Sequence, residues 1–558
     1  MTNSISEIRD ADCIFITGSN TAEAHPVISY EVIRAVKNGA NLVIVDPRRI
    51  PLVEHATLFL QVKPGTDIYV FLAIMHTILR EGWADEKFIA DRTEGFEDFK
   101  ASLEEYTPER ASLMSGVTVE QIIDAARIYA LGERVNASSV YGEPRGHSAI
   151  FYAMGITQRS NGTDMVMTLA NLALLTGQVG KPSTGVNPLR GQSNVQGACD
   201  TGCLVNVYPG YQRVTDDEKR KAIAQTWDAE DLPGEIGLTV VEAMHAALEG
   251  KVRATYVMGE NPMMSDPNTT NVEKALRNLD LLIVQDIFPS ETAFLAHVIL
   301  PAAASLEKDG SFTNTERRVQ MIQPVLQPPG EAWPDWKITG ELAARFDREM
   351  DRQRDSKHWL FPSTGSIFTE LVTVTPIYAG MSHDRLIGEG LQWPCPDREH
   401  PGTPILHAGK FSRGLGKFNL VKAIDPAEQP DDEYPLILTT GRVLYHYHTG
   451  TMTRRSGPLD WIEPRGYVEI NPADAAAAGI LDDRAVVIES RRGLVRTRAK
   501  ITDNVPKGTI FLAFHWREAP ANMLTQDFAL DPVAKIPEYK VCAVRILNPR
   551  AKRDKAAA

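Results

Sequence analysis

Cysteine is scarce in this chain: five in 558 residues, at Cys13, Cys199, Cys203, Cys395 and Cys542. That usage fits a reducing compartment rather than a disulfide-stapled secreted fold. None forms a C-x-x-C pair, and Cys199 with Cys203, four apart, reads as structural thiols rather than half of a cluster site. No apolar run approaches a membrane span, and the opening MTNSISEIRDAD has neither a basic n-region nor an apolar h-region. Basic residues are outnumbered, 59 Lys and Arg against 72 Asp and Glu, for a formal charge of -13. An anionic partner, nucleic acid or membrane surface, is therefore disfavoured as the main one. G-x-G-x-x-G is missing too, which disfavours a nicotinamide dinucleotide.

What remains is a soluble globular composition, 43% hydrophobic and 23% charged, in a chain long enough for about three or four domains. Residues 12–48 read as strand, turn, helix, strand: DCIFITG ends at Gly18, Val27 to Val36 has helical spacing, and NLVIVDPRR is a second apolar strand ending at Asp46. Two buried strands joined by a helix predict a parallel βαβ unit, whose ligands bind beyond the carboxyl ends of the strands. Asp46 sits where such folds place an acid that holds a ribose or base, although a strand-end acid also occurs without a ligand. LFLQVKPGTD then gives a strand, a P-G turn and a helix from about Asp67, and Thr118 with Gln121 predicts a capping box. Residues 134–147 are polar and rich in turn formers, and FYAMGITQRSNG reads as a strand running into a glycine-bearing turn.

The stretch that organises the chain is Gly180–Asp200, GKPSTGVNPLRGQSNVQGACD, with four glycines, two prolines and little that favours helix or strand. An apolar helical segment, Asp164 to Leu175, leads into it, with Gly177 placed as a C-terminal capping glycine. Long irregular segments inside compact domains are usually functional, and glycines let backbone approach a ligand closely. Its single arginine, Arg190, suits planar recognition of a carboxylate or phosphate; the plain alternative is a surface loop with a solvated arginine.

Beyond that stretch the plan repeats. VRATYVMGENP is a strand emptying into a turn at Gly259 to Pro262, and LLIVQDIFPSETAFLAHVILP predicts strand, turn, helix, strand. Two similar βα modules imply a pseudo-symmetric site between them, gripping a ligand with two similar ends. Residues 350–430 are Pro-rich with little periodicity. From Tyr434 short β runs alternate with tight turns, only DAAAAGI looking helical, which predicts a closed barrel.

Taken in order, GSNTAEAHP, DPRR, VKPGTD, GITQ, the stretch around Arg190, MGENP, QDIFPSETA, EKDGSFTNTERRVQ, HYHTGTMTRRS and AKIPEYKVCAVR resemble the catalytic subunit of molybdenum- or tungsten-dependent formate dehydrogenases, of the dimethyl-sulfoxide-reductase superfamily. The resemblance runs nearly end to end. It implies an α/β fold of two Rossmann-like βαβ modules with a C-terminal mostly-β, double-psi-type barrel, divided as 1–191, 192–400 and 401–558. It also implies a bis-molybdopterin guanine dinucleotide cofactor holding Mo or W, which would be the two-ended ligand. By the same resemblance Asn20, His25, Asp46 and Asp67 line one nucleotide, and Gly259, Asn261 and Gln285 the other. Gln158 and Gln192 face the pterin; His446, Thr449, Asn522, Tyr539 and Lys540 close over the cofactor. Arg190 matches the arginine beside the metal and would hold the formate carboxylate. No residue is assigned as a metal ligand; His446 and His448, two apart with no third ligand nearby, are a weak case for one.

The sequence departs from the family pattern at Arg159, where histidine is usual, at His297, where aspartate is usual, and in 134–147, which reads as an insertion. The family's four-cysteine iron–sulfur segment and its metal-binding selenocysteine or cysteine precede the motifs seen here. Met1-Thr2-Asn3-Ser4-Ile5 matches a segment soon after that selenocysteine. The expectation is therefore that a UGA codon lies upstream, that a 4Fe–4S cluster belongs to that upstream part, and that the 558 residues alone are inactive and prone to aggregate. The implied substrate pair is formate and CO2. The implied partners are an iron–sulfur electron-transfer subunit or hydrogenase or NAD-reducing subunits, in the cytoplasm, with a periplasmic location left open. A non-catalytic, cofactor-binding structural subunit is the alternative, and a reductase of nitrate or another oxyanion is a third reading, disfavoured by the formate-type stretch around Arg190.

Overall fold

The computed structural model of the protein describes residues 1–134, 139–142, 145–350 and 358–547. Most of the 134–147 insertion and part of the 350–430 stretch lie among or beside residues outside that description. The chain forms two compact units. One comprises Met1–Leu189, Pro262–Glu273 and the chain from Ile405 on; the other comprises Arg190–Asn261 and Lys274–Pro404.

The first unit contains a five-stranded parallel sheet: β1 (Cys13–Thr17), β2 (Asn41–Val45), β3 (Leu58–Leu60), β4 (Ser148–Tyr152) and β5 (Gly185–Pro188), in the order β3-β2-β1-β4-β5. Every residue of β1, β2 and β4 is buried, as expected of parallel strands covered on both faces. The covering helices include α1 (Pro26–Lys37), α2 (Asp67–Arg80), α3 (Val119–Leu131) and α4 (Gly162–Leu175). Proline opens α1, where its missing N–H costs nothing. The capping box of Thr118 and Gln121 starts α3, and Gly177 follows α4 at φ 65°. Phe15 of β1 meets Phe71 of α2 and Tyr129 of α3 edge-on, at centroid distances of 6.2 and 5.7 Å, which locks the sheet to its helices.

Two local expectations change in and beside this sheet. The organising stretch is not structureless: Gly185–Pro188 is the edge strand β5, paired with β4 in the register Ile150↔Val186, and Val195–Asp200 is helical. Its glycines and proline hide the strand, yet an edge strand tolerates proline. The GITQ turn is likewise a single helical turn, Met154–Thr157. The chain runs outward from β1 to β3 and returns to β4, so the sheet reverses between β1 and β4, the position where such sheets bind ligands.

The same unit holds the barrel, which in the chain follows three strands that form a parallel sheet in the second unit. Those three, β6 (Ala254–Met258), β7 (Leu281–Asp286) and β8 (Val298–Pro301), form a parallel sheet in the order β8-β7-β6. Between β7 and β8 the expected helix is only a three-residue 3-10 turn, Ala293–Leu295, because the connection folds over Ser290, whose hydroxyl accepts from the Ala293 amide. The stretch expected to be irregular contains a helix, Thr364–Val374, started by Ser363. Its run of Thr and Val, poor helix formers, concealed it.

The barrel closes six strands, β9 (Leu436–Gly441), β10 (Tyr467–Ile470), β11 (Ala485–Glu489), β12 (Leu494–Ile501), β13 (Thr509–Ala513) and β14 (Cys542–Leu547), in the order β9-β13-β10-β12-β11-β14. Pro472–Ala477 is the expected helix, but Gly457–Ile462 is a second, begun by Pro458. Asp531 in the last barrel connection accepts from the amide and hydroxyl of Thr163 at 2.8 and 2.7 Å, capping α4. No helix among the described residues is long and apolar enough to cross a membrane.

Candidate functional site

At the reversal point of the first sheet, the turns after β1 and β4 touch. The Gly155 amide donates to the Gly18 carbonyl at 3.0 Å. A Cβ at Gly155 would lie 2.5 Å from the Gly18 Cα, and Gly18 itself has φ 54°. Only glycine fits this contact. Asn20 follows, donating to Glu23 at 2.7 Å while its buried Oδ1 has no hydrogen-bond partner among the described residues. His25 opens α1. Thr17, at the end of β1, likewise buries a hydroxyl with no partner among the described residues. Unpartnered buried polar atoms at strand ends are what a bound polar group would satisfy.

Beside these turns is a buried charge cluster. Asp46, at the end of β2, accepts from the Arg48 amide at 2.9 Å. Burial, and then the neighbouring Asp67, push its carboxyl up to about 6. Asp67, fully buried at the start of α2, lies 2.8 Å from Nη2 of Arg159, close but off the hydrogen-bonding direction. Arg159 also donates to the Gly155 carbonyl at 2.8 Å, so the arginine at the departure from the family pattern pins the β4 turn. Lys540 donates to the Thr440 carbonyl at 2.8 Å. Burial drives its ammonium down to about 7, helped by Arg442 and Arg159 and opposed by Asp46. Tyr539 closes the group, its amide donating to the carbonyl of Gln158 at 3.2 Å. Asp46, Asp67, Gln158, Tyr539 and Lys540 are therefore brought together within the first unit, as strand-end and barrel-loop residues.

Other barrel residues have internal partners. His446 is held through Nδ1 by Thr453 at 3.2 Å and through Nε2 by the Glu463 carbonyl at 2.7 Å. Thr449 pairs with Thr451 at 2.9 Å. Asn522 donates to the carbonyls of Met264 and Ser265, and the Tyr539 hydroxyl also donates to Ser265. These two fasten the segment after MGENP to the barrel. His515 accepts from the Val443 amide through Nε2 at 2.9 Å, so its proton sits on Nδ1, which donates to the His448 carbonyl. Burial and Arg442 hold His448 down to about 4.

In the second unit Gly259 takes φ 62° and its amide donates to the Gln285 carbonyl at 2.8 Å. Asn261 donates to Glu291 at 2.7 Å and accepts from Thr292. Gln285 is fully buried with both ends of its amide used, by Asp335 at 2.6 Å and by Tyr256. Gln192 is half-buried. The Arg190 amide donates to Thr315 at 3.1 Å, and its Nε donates to Gln196 Oε1 at 3.2 Å. Behind Gln196 stand the buried Asp200 and Tyr378 and the partly exposed Tyr211, a hydrogen-bonded network that the sequence reading did not single out. Arg442 was also missed. It follows the strand-final glycine of TTG, the pattern that marks FITG and VMG, and that repetition was the available signal.

Residues 1–345 match the family model described as molybdopterin oxidoreductase, and residues 436–543 match the "Molydopterin dinucleotide binding domain". The chain belongs to the molybdopterin oxidoreductase family. It is 49% identical to the F420-dependent formate dehydrogenase 1 subunit alpha of Methanococcus maripaludis, over 98% of this chain and 78% of that protein. It is 38% identical to formate dehydrogenase H of Escherichia coli, over 98% of this chain and 74% of the relative. Acetylene hydratase from Pelobacter acetylenicus shares the fold, with a TM-score of 0.70 at 19% identity, covering 98% of this chain and 78% of that one.

The cofactor is a bis-molybdopterin guanine dinucleotide with Mo or W. The residues present fit such a group. The glycine contact at Gly18 and Gly155, the unpartnered Asn20 Oδ1 and the cations Arg159, Arg442 and Lys540 offer close backbone approach, polar contacts and charge to a dinucleotide.

Proposed function

We propose that this chain is the catalytic-subunit portion of a formate dehydrogenase, converting formate reversibly to CO2, a proton and two electrons. The observation that carries the reading is the 49% identity to a formate dehydrogenase alpha subunit over 98% of the chain. The cofactor, when bound, takes up the two electrons. The chain's own part begins with Arg190, whose guanidinium holds the formate carboxylate. Gln192 and Gln158 face the pterins, while Asn20, His25, Asp46 and Asp67 hold one nucleotide and Gly259, Asn261 and Gln285 the other. His446, Thr449, Asn522, Tyr539 and Lys540 act from the barrel; the hydrogen bonds of His446 and Asn522 favour an indirect role through loop shape. The functional division is 1–191, 192–400 and 401–558.

Electrons leave to a partner electron-transfer subunit, and the F420 dependence named for the Methanococcus maripaludis relative makes F420 the first acceptor to try, ahead of NAD or a hydrogenase. The workplace is the cytoplasm. The test is the assembled enzyme carrying Arg190→Lys, which keeps charge but not planar two-pronged geometry. Metal and pterin content should stay normal while formate-dependent dye reduction falls by orders of magnitude. Normal turnover at saturating formate, or nitrate serving as a better substrate than formate in the parent enzyme, would sink the reading.

A further inference from the structure

Gln196 and Asp200 are four apart on the helix Val195–Asp200, so their side chains share one face. Both are buried, Asp200 completely. Asp200 has no ion-pair partner among the described residues; its charge is met by hydrogen bonds alone. Tyr211 Oη donates to Oδ1 at 2.6 Å, Tyr378 Oη donates to Oδ2 at 2.6 Å, and Gln196 Nε2 donates to Oδ1 at 2.9 Å. Thr313 supports the Tyr378 hydroxyl at 2.7 Å. Burial raises the Asp200 carboxyl, and the tyrosine and glutamine donors pull it back towards ionisation.

The direction of these bonds has a consequence for Arg190. An ionised carboxylate only accepts, so Asp200 forces the Gln196 amide to turn its NH2 inward. The NH2 also donates to Tyr211 Oη at 2.9 Å, which uses both inward protons. The Gln196 oxygen is thereby left facing outward, and it meets the Nε–H of Arg190 at 3.2 Å. Were the amide reversed, its NH2 would face a guanidinium that has only donors. Tyr211 supplies a second sign that the cluster is held for a purpose. It has φ 61°, a left-handed conformation that a bulky residue keeps only where its surroundings over-determine it.

We propose that Asp200, acting through the fixed amide of Gln196, is a positioning device that sets the plane of the Arg190 guanidinium for two-pronged binding of the substrate carboxylate. The inference rests on the reading of Arg190 as the substrate-binding group.

The test uses the assembled, cofactor-loaded enzyme with three variants: Asp200→Asn, Gln196→Glu, and the two combined. Asp200→Asn removes the acceptor that fixes the amide, so kcat/KM for formate should fall at least tenfold, mostly through KM, with metal and pterin content unchanged. Affinity for nitrate, a planar anion with the same two-oxygen edge, measured by calorimetry without reductant, should weaken in parallel. The combined variant moves the carboxylate one step outward. Its new carboxylate accepts from Arg190 and from the new amide behind it, with net charge conserved, so kcat/KM and nitrate affinity should return to within about threefold of the parent. A merely structural role predicts no such recovery. The proposal is overturned if Asp200→Asn leaves KM and nitrate affinity unchanged, or if the combined variant is no better than Asp200→Asn. Should the singles lose cofactor, a combined variant that regains cofactor but not formate affinity also overturns it. Arg190→Lys is run beside them. If it is inactive while the relay variants behave as parent, the relay alone fails; if it is fully active, the reading of Arg190 fails first.

Discussion

Arg48, just beyond β2 of the parallel sheet, grips Glu469 of barrel strand β10 with two hydrogen bonds, Nε to Oε2 at 2.8 Å and Nη2 to Oε1 at 3.0 Å. Its guanidinium also lies over the Phe511 ring at 3.8 Å, and Glu469 is wholly buried. Glu23 lies 3.8 Å from Arg48 and Lys500 3.4 Å from Glu469, so removing one partner leaves a charge only partly compensated, which costs up to about 3–5 kcal/mol, whereas replacing both with apolar residues costs less. Glu469→Ala should therefore lower the urea midpoint strongly, and Arg48→Met with Glu469→Leu should recover most of the loss. Equal loss in the single and double variants would show that packing, not charge, joins barrel and sheet here.

The glycines divide into two kinds, and mutation should separate them. At Gly155 a Cβ would meet backbone at 2.5 Å, with nowhere to yield. Gly155→Ala should cost about 1–3 kcal/mol by overpacking and reduce cofactor retention, because it pushes apart the turns at the β1–β4 reversal. At Gly259 a Cβ would meet no atom of the described residues within 4 Å, and φ 62° is what resists it. Gly259→Ala should cost about 1–2 kcal/mol in the cofactor-free chain. The check is denaturant stability of the cofactor-free chains beside pterin content of the loaded ones; equal cofactor loss in both would remove the distinction.

Sequence pattern revealed the parallel sheet and the barrel because their signals are local. Five-residue strands run into glycine at FITG, where every residue is buried, and at VMG, where only Val257 is, and short β runs alternate with turns after Tyr434. Arg190 stood out as the one arginine in a glycine-rich stretch. What stayed hidden depends on partners distant in sequence. β5 is a strand only because β4 accepts it at the sheet edge, and the helix Thr364–Val374 is fixed by its cap and its burial of Phe368. Asp200 gains its meaning from Tyr378, a contact that no window of sequence contains. Gln285 and His446 were legible as positions, but not their internal hydrogen bonds, which give them structural work as well.

Asp46 gives stability a pH dependence with a definite sign. Burial and Asp67 raise its carboxyl from 3.8 to about 6 in the folded chain. A raised carboxyl binds more protons folded than unfolded, so its contribution is most favourable below about pH 4, is lost as pH rises towards 6, and is flat above. Asp46→Asn keeps an acceptor for the Arg48 amide but cannot ionise. In the cofactor-free chain it should be more stable than the parent by about 1–3 kcal/mol at pH 7, with the gap closing at pH 4. Urea titrations at both pH values check this. A gap that persists at pH 4 would assign the effect to something other than ionisation.

Lys540 leads to a dependence of the same sign, seen in anion binding rather than folding. Its ammonium is held down to about 7 by burial and by Arg442 and Arg159, with Asp46 the one group opposing them. In the cofactor-free chain it is therefore largely neutral at pH 8. A bound phosphate group beside it would favour the charged form and raise its pKa. Binding then takes up a proton above pH 7, and affinity falls as pH rises, by up to about tenfold per unit until the bound-state pKa is passed. Guanosine diphosphate is a suitable probe from pH 7.5 to 9, where its own phosphates are already ionised. Calorimetry in buffers of different ionisation enthalpy should show uptake of up to one proton at pH 8. Lys540→Arg keeps the charge throughout this range, so it should bind with little pH dependence and no uptake, while Lys540→Met should bind weakly at every pH. If the parent shows no proton uptake while Lys540→Met binds as tightly, Lys540 does not face the anion, and the cationic role at this site passes to Arg442 and Arg159.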